Sequence, residues 1–464
     1  MKKMKAGRVP AKLYKPAASV FLALMFMICS VSVCACSAAD TGTNADVIPK
    51  PSFGTDAPAA SPETSPETSP EADEHTATDR PELSFTPEPV SDAERILSGM
   101  TLREKIGQLF FILPESLRAS CSGKADFLTS EMKKALKEYP AGGILLASNN
   151  ISSPGKLKRF TDDLQEVSSV PLFIGMDEEG GNIVRIADCK NFHVPAFPPM
   201  LEIGKTGNPS NAYRVGFTIG GYLQEYGVNL DLAPVADLFT NPENRVIGSR
   251  CFGNDPEIVS SMVSAEIRGF HAQGIMACAK HFPGHGNTKG DTHFGFVKTD
   301  KTWEELLKLE LIPFQAAIDS HCDMIMAAHI AAPGITGNDL PATLSYTLIT
   351  EKLRNEMGFD GVVISDAMAM QAITDLYSSE EAAVKAIQAG VDIILSPDDY
   401  EEAFEGLYKA VKSGIISEDR INESVLRILE LKEKYIIPDS SDSARDDTFV
   451  YKSDLSETCL LRPV

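Results

Sequence analysis

The chain has 464 residues, 43% of them apolar, enough for one large globular domain or two modest ones. Its formal charge is −22 and its isoelectric point lies near 4.8, which argues against nucleic acid as a partner, since phosphate binding needs a basic face. Of nine cysteines, Cys29, Cys34 and Cys36 crowd the N-terminus and the rest are scattered without paired spacing, so no disulfide framework is expected.

Lys2, Lys3, Lys5, Arg8, Lys12 and Lys15 precede an apolar run from Ala17 to Val33. The run is too short and wrongly flanked for a transmembrane helix, and reads as the core of a signal segment. It ends in Val33-Cys34-Ala35-Cys36-Ser37. A small residue before a cysteine resembles a bacterial lipobox. Residues 1–36 are therefore expected to be a lipoprotein signal peptide, with Cys36 lipidated after cleavage at Ala35. Cys34 is the weaker candidate because bulky Val33 precedes it, and an ordinary secretory signal with incidental cysteines is the alternative. An acyl chain contributes about 0.8 kcal/mol per buried CH₂, so several on one cysteine would hold the protein at a membrane. The expected location is outside the cytoplasm, with this lipid as the only membrane contact.

Residues 37–90 show no apolar periodicity and repeat Ser-Pro-Glu-Thr from Ser61 onward. Such a segment cannot bury a core and is expected to be a disordered, extended tether. The globular part begins near Ser91, with a short helix over Asp92–Gly99. Thr101 follows as an N-cap, with Glu104 at the capping-box position. Eight short apolar runs then alternate with helical patterns: Leu109–Leu113, Gly143–Leu146, Leu172–Met176, Asn229–Pro234, Ile275–Ala279, Met324–Ala328, Gly361–Ser365 and Asp392–Leu395. Continuous apolar runs are what parallel strands covered on both faces require. The expected architecture is α/β, a single (β/α)₈ barrel over residues 91–435 with no second α/β domain. A doubly wound open sheet is the alternative, weakened by the lack of a dinucleotide-type glycine fingerprint after the first strand. Helices over Ser379–Ala389, with Gly390 as C-cap, and over Glu418–Lys434 close the domain. Residues 436–464 read as a polar tail.

Polar residues gather where the strands end, which is where barrel active sites lie. The densest group follows the fifth strand: Lys280-His281-Phe282-Pro283-Gly284-His285-Gly286, then Asp291-Thr292-His293. Pro283, Gly284 and Gly286 forbid regular structure, so the strand is expected to end at Lys280-His281 and the motif to lie on an irregular loop. Three readings compete. One is a polar loop with local hydrogen bonds. Another is a metal site, disfavoured because Pro283 and Gly284 break the helix that would align His281 with His285, and no cysteine joins them. The favoured reading is acid–base chemistry by His293, with Asp291 close enough to fix its tautomer and raise its basicity. No metal and no cofactor are expected.

The motif K-H-F-P-G-H-G followed by D-[ST]-H resembles the signature of the β-N-acetylglucosaminidases of glycoside hydrolase family 3. The resemblance runs from about Met100 to about Tyr435. It implies that His293 and Asp291 are the acid/base pair. It further implies that Asp366, in Ser365-Asp366-Ala367-Met368 after the seventh run, is the nucleophile. Taken alone, Asp366 would read as a helix N-cap. The same resemblance makes Asp177 a ligand of sugar hydroxyls, Arg185 and Arg250 arginines near the substrate, and Lys280 and His281 contacts to the bound sugar. The lack of a second α/β domain fits the subgroup whose acid/base is a histidine on the barrel. Thr292 stands where serine is usual, Asn182 where arginine is common and Cys251 where serine is usual. Glu178 and Glu179 are expected to support their loop, and His329 either lines the site or is a satisfied rim histidine.

The implied activity is retaining hydrolysis of terminal β-linked N-acetylglucosamine from cell-wall fragments by a monomer. Phosphorolysis on the same scaffold is the nearest rival, because a neutral histidine repels phosphate less than a carboxylate does. A sugar-binding lipoprotein without catalysis, and a metal-dependent hydrolase, are more distant rivals.

Overall fold

The computed structural model describes residues 91–118 and 124–437. The expected signal segment with Cys36, the tether over 37–90 and the tail from residue 438 lie outside the described residues. Among the described residues no helix is long and apolar enough to cross a membrane.

Among the described residues ten strands form, in chain order: β1 (Phe110–Ile112), β2 (Gly143–Leu145), β3 (Phe173–Met176), β4 (Leu230–Asp231), β5 (Met276–Phe282), β6 (Val297–Lys298), β7 (Met324–Ala327), β8 (Ile330–Ala331), β9 (Val362–Ser365) and β10 (Ile394–Leu395). Eight of them make one parallel sheet in the order β10-β1-β2-β3-β4-β5-β7-β9. The two ends of that order meet through the parallel bridge Ile364–Ile393, with Ser365 N–H donating to the Ile393 carbonyl at 2.9 Å. The sheet is thus a closed barrel with helices outside, and all eight expected strands are present. Closure removes the unpaired edges that an open sheet would leave.

Side-chain size explains how the barrel interior fills. Phe110 faces outward, packing on Tyr400 and Phe404 of the helix Tyr400–Lys412 at 5.2 and 6.0 Å between ring centroids. Phe111 therefore faces inward. Its ring occupies the room left by two glycines: a Cβ on Gly143 would lie 2.7 Å from it, and one on Gly175 2.9 Å. One large residue against two small ones on neighbouring strands is a way to pack a barrel without a void.

Local capping matches the reading of the sequence. Thr101 N–H donates to Glu104 Oε2 at 2.8 Å while Glu104 N–H donates to Thr101 Oγ1. The helices Asp92–Gly99, Ser379–Ala389 and Glu418–Tyr435 form where expected, and Gly390 closes the second in the left-handed region.

Two features differ from the expectation. β5 does not stop at Lys280-His281 but runs on to Phe282, with a register shift between Lys280 and Phe282. Pro283 and Gly284 stop it only afterwards. The extension is held by backbone bonds on both sides, Ala236 N–H to Lys280 O at 2.7 Å and Ala328 N–H to Phe282 O at 2.8 Å. Lys280 and His281 thus stand on a rigid strand rather than a loop. The second feature is the small parallel ladder β6–β8, which joins the segment after His293 to the segment after His329.

Candidate active site

The loop after β3 is folded by one buried carboxylate. Glu178 accepts from the backbone N–H groups of Arg185, Ile186 and Ala187, and from the Tyr222 hydroxyl at 2.9 Å. Four donors satisfy a charge that burial would otherwise penalise heavily. The result turns the chain back so that Arg185 Nη2 meets Asp177 Oδ2 at 3.2 Å. Glu178 therefore supports its loop, as expected; Asn182 sits at the exposed tip of the same turn.

Glu179 does something else. Lys280 Nζ lies 2.6 Å from Asp177 Oδ1 and 2.7 Å from Glu179 Oε1. Arg250 grips Glu179 with two parallel bonds of 2.9 and 2.6 Å. Arg185, Asp177, Lys280, Glu179 and Arg250 thus form one chain of alternating charge across the C-terminal mouth of the barrel. Burial opposes ionisation of Asp177, Glu179, Lys280 and Arg250, but the opposite charges win. They hold the Asp177 carboxyl below the carboxylate range, bring Glu179 down to about 2 and keep the Lys280 ammonium above the ordinary lysine value. Glu179 was missed as a member of this cluster. Its partner Arg250 is 71 residues away in sequence, and only the fold joins them.

Asp237, after β4, is the second organiser. Its carboxylate accepts from the backbone N–H groups of His281 and His285, at 3.2 and 2.6 Å, and lies 2.7 Å from His281 Nδ1. A carboxylate partner assigns the Nδ1 proton to His281, leaving the Nε2 lone pair facing Arg250 Nη2 at 3.4 Å. The glycines of the motif permit this crossing of loops. A Cβ on Gly286 would sit 1.9 Å from the Leu238 carbonyl oxygen, and Gly284 has φ +115°. Cys251 is buried with its thiol against the Gly248 and Gly253 carbonyls, a place where a serine hydroxyl would make the same bonds. Among the described residues no three His, Cys, Asp or Glu side chains are grouped to hold a metal. His281 and His285 have their Nδ1 atoms beside Asp237 and Thr288 respectively.

Asp291 and His293 meet as their spacing requires. Asp291 Oδ1 accepts from His293 N–H at 2.9 Å and lies 2.6 Å from His293 Nδ1. One carboxylate oxygen thus fixes both the backbone and the ring, and the free Nε2 is left on a half-exposed side chain. The Asp291 bond raises the imidazole above the ordinary histidine pKa against the effect of burial, and Asp366 adds to the rise. Asp366 is therefore within electrostatic reach of His293.

Asp366 directly follows β9, with its N–H donating to the Ala327 carbonyl at 2.8 Å, and its Oδ1 accepts from Ala367 N–H at 2.8 Å. Burial pushes its carboxyl up, yet His329, His281, the Ala367 N–H and His293 together hold it below the usual carboxylate range. His329 is buried between Thr343 Oγ1 at 2.9 Å and the Ala367 carbonyl at 3.0 Å, and burial lowers its pKa. A neutral ring donating from Nε2 to Ala367 braces the residue beside Asp366. It is a satisfied histidine, and its position makes it a positioning residue for Asp366.

The C-terminal mouth of the closed parallel barrel thus brings acids, histidines and arginines together. The chain belongs to glycosyl hydrolase family 3: the model of that family's N-terminal domain matches residues 101–431. Beta-hexosaminidase A of Pseudoalteromonas piscicida is 32% identical over 351 residues, which cover 70% of this chain and 58% of that protein. The chain thus spans less than two thirds of that relative's length. Among solved structures, the family 3 β-N-acetylglucosaminidase from Paenibacillus sp. str. FPU-7 superposes with a TM-score of 0.68 at 35% identity, covering 77% of this chain and 66% of that one. The β-glucoside phosphorylase BglX superposes with a TM-score of 0.66 at 26% identity, covering 74% of this chain and 60% of that one.

Proposed function

We propose that the protein is a retaining exo-β-N-acetylglucosaminidase that removes terminal β-linked N-acetylglucosamine, with cell-wall fragments outside a bacterial membrane as its substrates. The observation that carries this is the Asp291–His293 pair, 2.6 Å between Oδ1 and Nδ1, within electrostatic reach of a separate ionised Asp366. The names of the relatives support the substrate class. The signal-like residues 1–36 support the location, with Cys36 as the lipidated residue.

The mechanism follows from the charges. Asp366, held ionised, attacks the anomeric carbon and forms a glycosyl-enzyme ester. His293, whose raised pKa keeps its Nε2 proton near neutral pH, protonates the departing glycosidic oxygen. The neutral His293 then takes a proton from water, which attacks the anomeric carbon, displaces the Asp366 carboxylate and releases the sugar with retained configuration. Asp291 stabilises the imidazolium and fixes its tautomer. Asp177, Lys280, Arg185, Arg250 and His281 bind the sugar; the ion pairs among them pre-set their donors, so little reorganisation is needed on binding.

Phosphorolysis is the second reading, because a β-glucoside phosphorylase shares the fold. Release of a chromogenic alcohol from β-N-acetylglucosaminides, with and without phosphate and chelator, tests both. Free N-acetylglucosamine at an unchanged rate supports hydrolysis. A phosphate-dependent rate yielding the 1-phosphate would replace it, and loss of activity with chelator would overturn the metal-free mechanism.

A further inference from the structure

The loop that carries His293 exposes aromatic surface that the sugar-binding cluster does not use. Phe294 is 64% exposed and Phe296 50%. The Phe294 ring centroid lies 6.5 Å from that of His293, with the planes tilted by 53°. Phe294 is not on a loose end. Its N–H donates to the Asp291 carbonyl at 3.0 Å, and the preceding Thr292 carbonyl accepts from Ala372 N–H at 3.3 Å. Beyond it the chain enters β6, which pairs with β8.

The position matters because of the proton transfer. Asp291 occupies Nδ1 of His293, so only Nε2 can reach the glycosidic oxygen, at a hydrogen-bond distance of about 3 Å. The leaving group must then stand beside His293. Phe294 follows His293 in the chain, and its exposed ring is packed beside the imidazole where a ring attached to that oxygen would project. A pyranose has one face made of C–H groups, which an aromatic face or edge can cover while its hydroxyls stay in water. We propose that Phe294 is a specificity-determining residue that stacks on a pyranose leaving group and so selects glycans over simple alkyl glycosides. The inference rests on His293 being the acid/base.

The test compares an N-acetylglucosaminyl disaccharide with methyl β-N-acetylglucosaminide. Both have alkoxide leaving groups, and only the first carries a ring. Phe294→Ala should lower kcat/KM for the disaccharide about tenfold, the upper end of what one aromatic contact contributes, and by less than about twofold for the methyl glycoside. Phe294→Tyr should restore the disaccharide rate. Equal falls on both substrates, or no fall on either, would overturn the inference. His293→Ala is measured on the same pair and on an activated phenyl glycoside. If its defect does not depend on leaving-group quality, the acid/base assignment fails and the inference falls with it. If it does depend on it while Phe294→Ala shows no selectivity, only the inference on Phe294 fails.

Discussion

The two ends of the barrel both bury charge, and they do so to different ends. At the N-terminal end, Asp323 precedes β7 and takes Ala277 N–H, His271 and Lys434. Asp392 precedes β10 and takes Val363 N–H, Arg354 and Arg427. Each carboxylate caps a neighbouring strand and ties it to surrounding helices. At the C-terminal end the chain Arg185–Asp177–Lys280–Glu179–Arg250 caps no strand; its members converge on one another, and Arg185 and Asp177 keep about a quarter of their side chains exposed. Buried ion pairs therefore do not by themselves mark a site. What separates the ends is convergence and residual access, and the comparison can be broken by mutating one end at a time.

The largest effect belongs to Asp366. Asp366→Asn should lower kcat by about 10⁴-fold or more, as loss of a nucleophile does, with the thermal midpoint unchanged. Activity within a few fold of wild type would remove it from the mechanism. Asp392→Asn should do the reverse. It strips a buried charge from Arg354 and Arg427, a type of loss that costs about 3–5 kcal/mol. Denaturant unfolding should show the drop, while kcat/KM of the folded fraction stays within about twofold.

A smaller effect is a displaced pH profile. In the proposed mechanism His293 acts in its acid form, and its pKa is raised, so kcat/KM should fall on an upper limb above the ordinary histidine value. The lower limb should follow Asp366, below the usual carboxylate range. Asp291→Ala removes the largest cause of the rise, so the upper limb should move down; an unmoved limb would detach Asp291 from His293.

The smallest effect on turnover, none, is expected at Lys432. Its buried ammonium has only neutral acceptors, Gln108 Oε1 at 2.7 Å and the Gly142 carbonyl at 2.9 Å, and burial lowers its pKa to about 7. An unfolded lysine titrates near 10.4, roughly. Between those values the unfolded chain binds more protons, so stability should rise with pH from about 7 upward. Lys432→Met should flatten that rise, as followed by denaturant midpoints across the range.

The same comparison shows what the sequence made legible. Strands were readable because both their faces are buried, which writes itself as an unbroken apolar run. The Asp291–His293 pair was readable because the two are two residues apart and meet through local geometry alone. Proline and glycine follow Lys280 and His281 so closely that the sequence reads as loop there, whereas backbone partners at Val235 and Ala236, beyond the end of β4, and on β7 carry the strand past them. Glu179, Asp237 and His329 act through residues 71, 44 and 38 positions away. Such pairings are set by barrel closure, and no local pattern announces them.

In the proposed mechanism His293 moves the proton while Asp366 forms the bond. The most direct measurement is rapid-mixing turnover of an activated phenyl β-N-acetylglucosaminide by His293→Ala, with and without azide. Phenol leaves with little help, but the second step lacks its base. We expect a burst of phenol followed by a slow steady rate, and azide, which needs no deprotonation, should restore turnover and yield the β-glycosyl azide. No burst and no azide product would contradict the account and make His293 a binding residue.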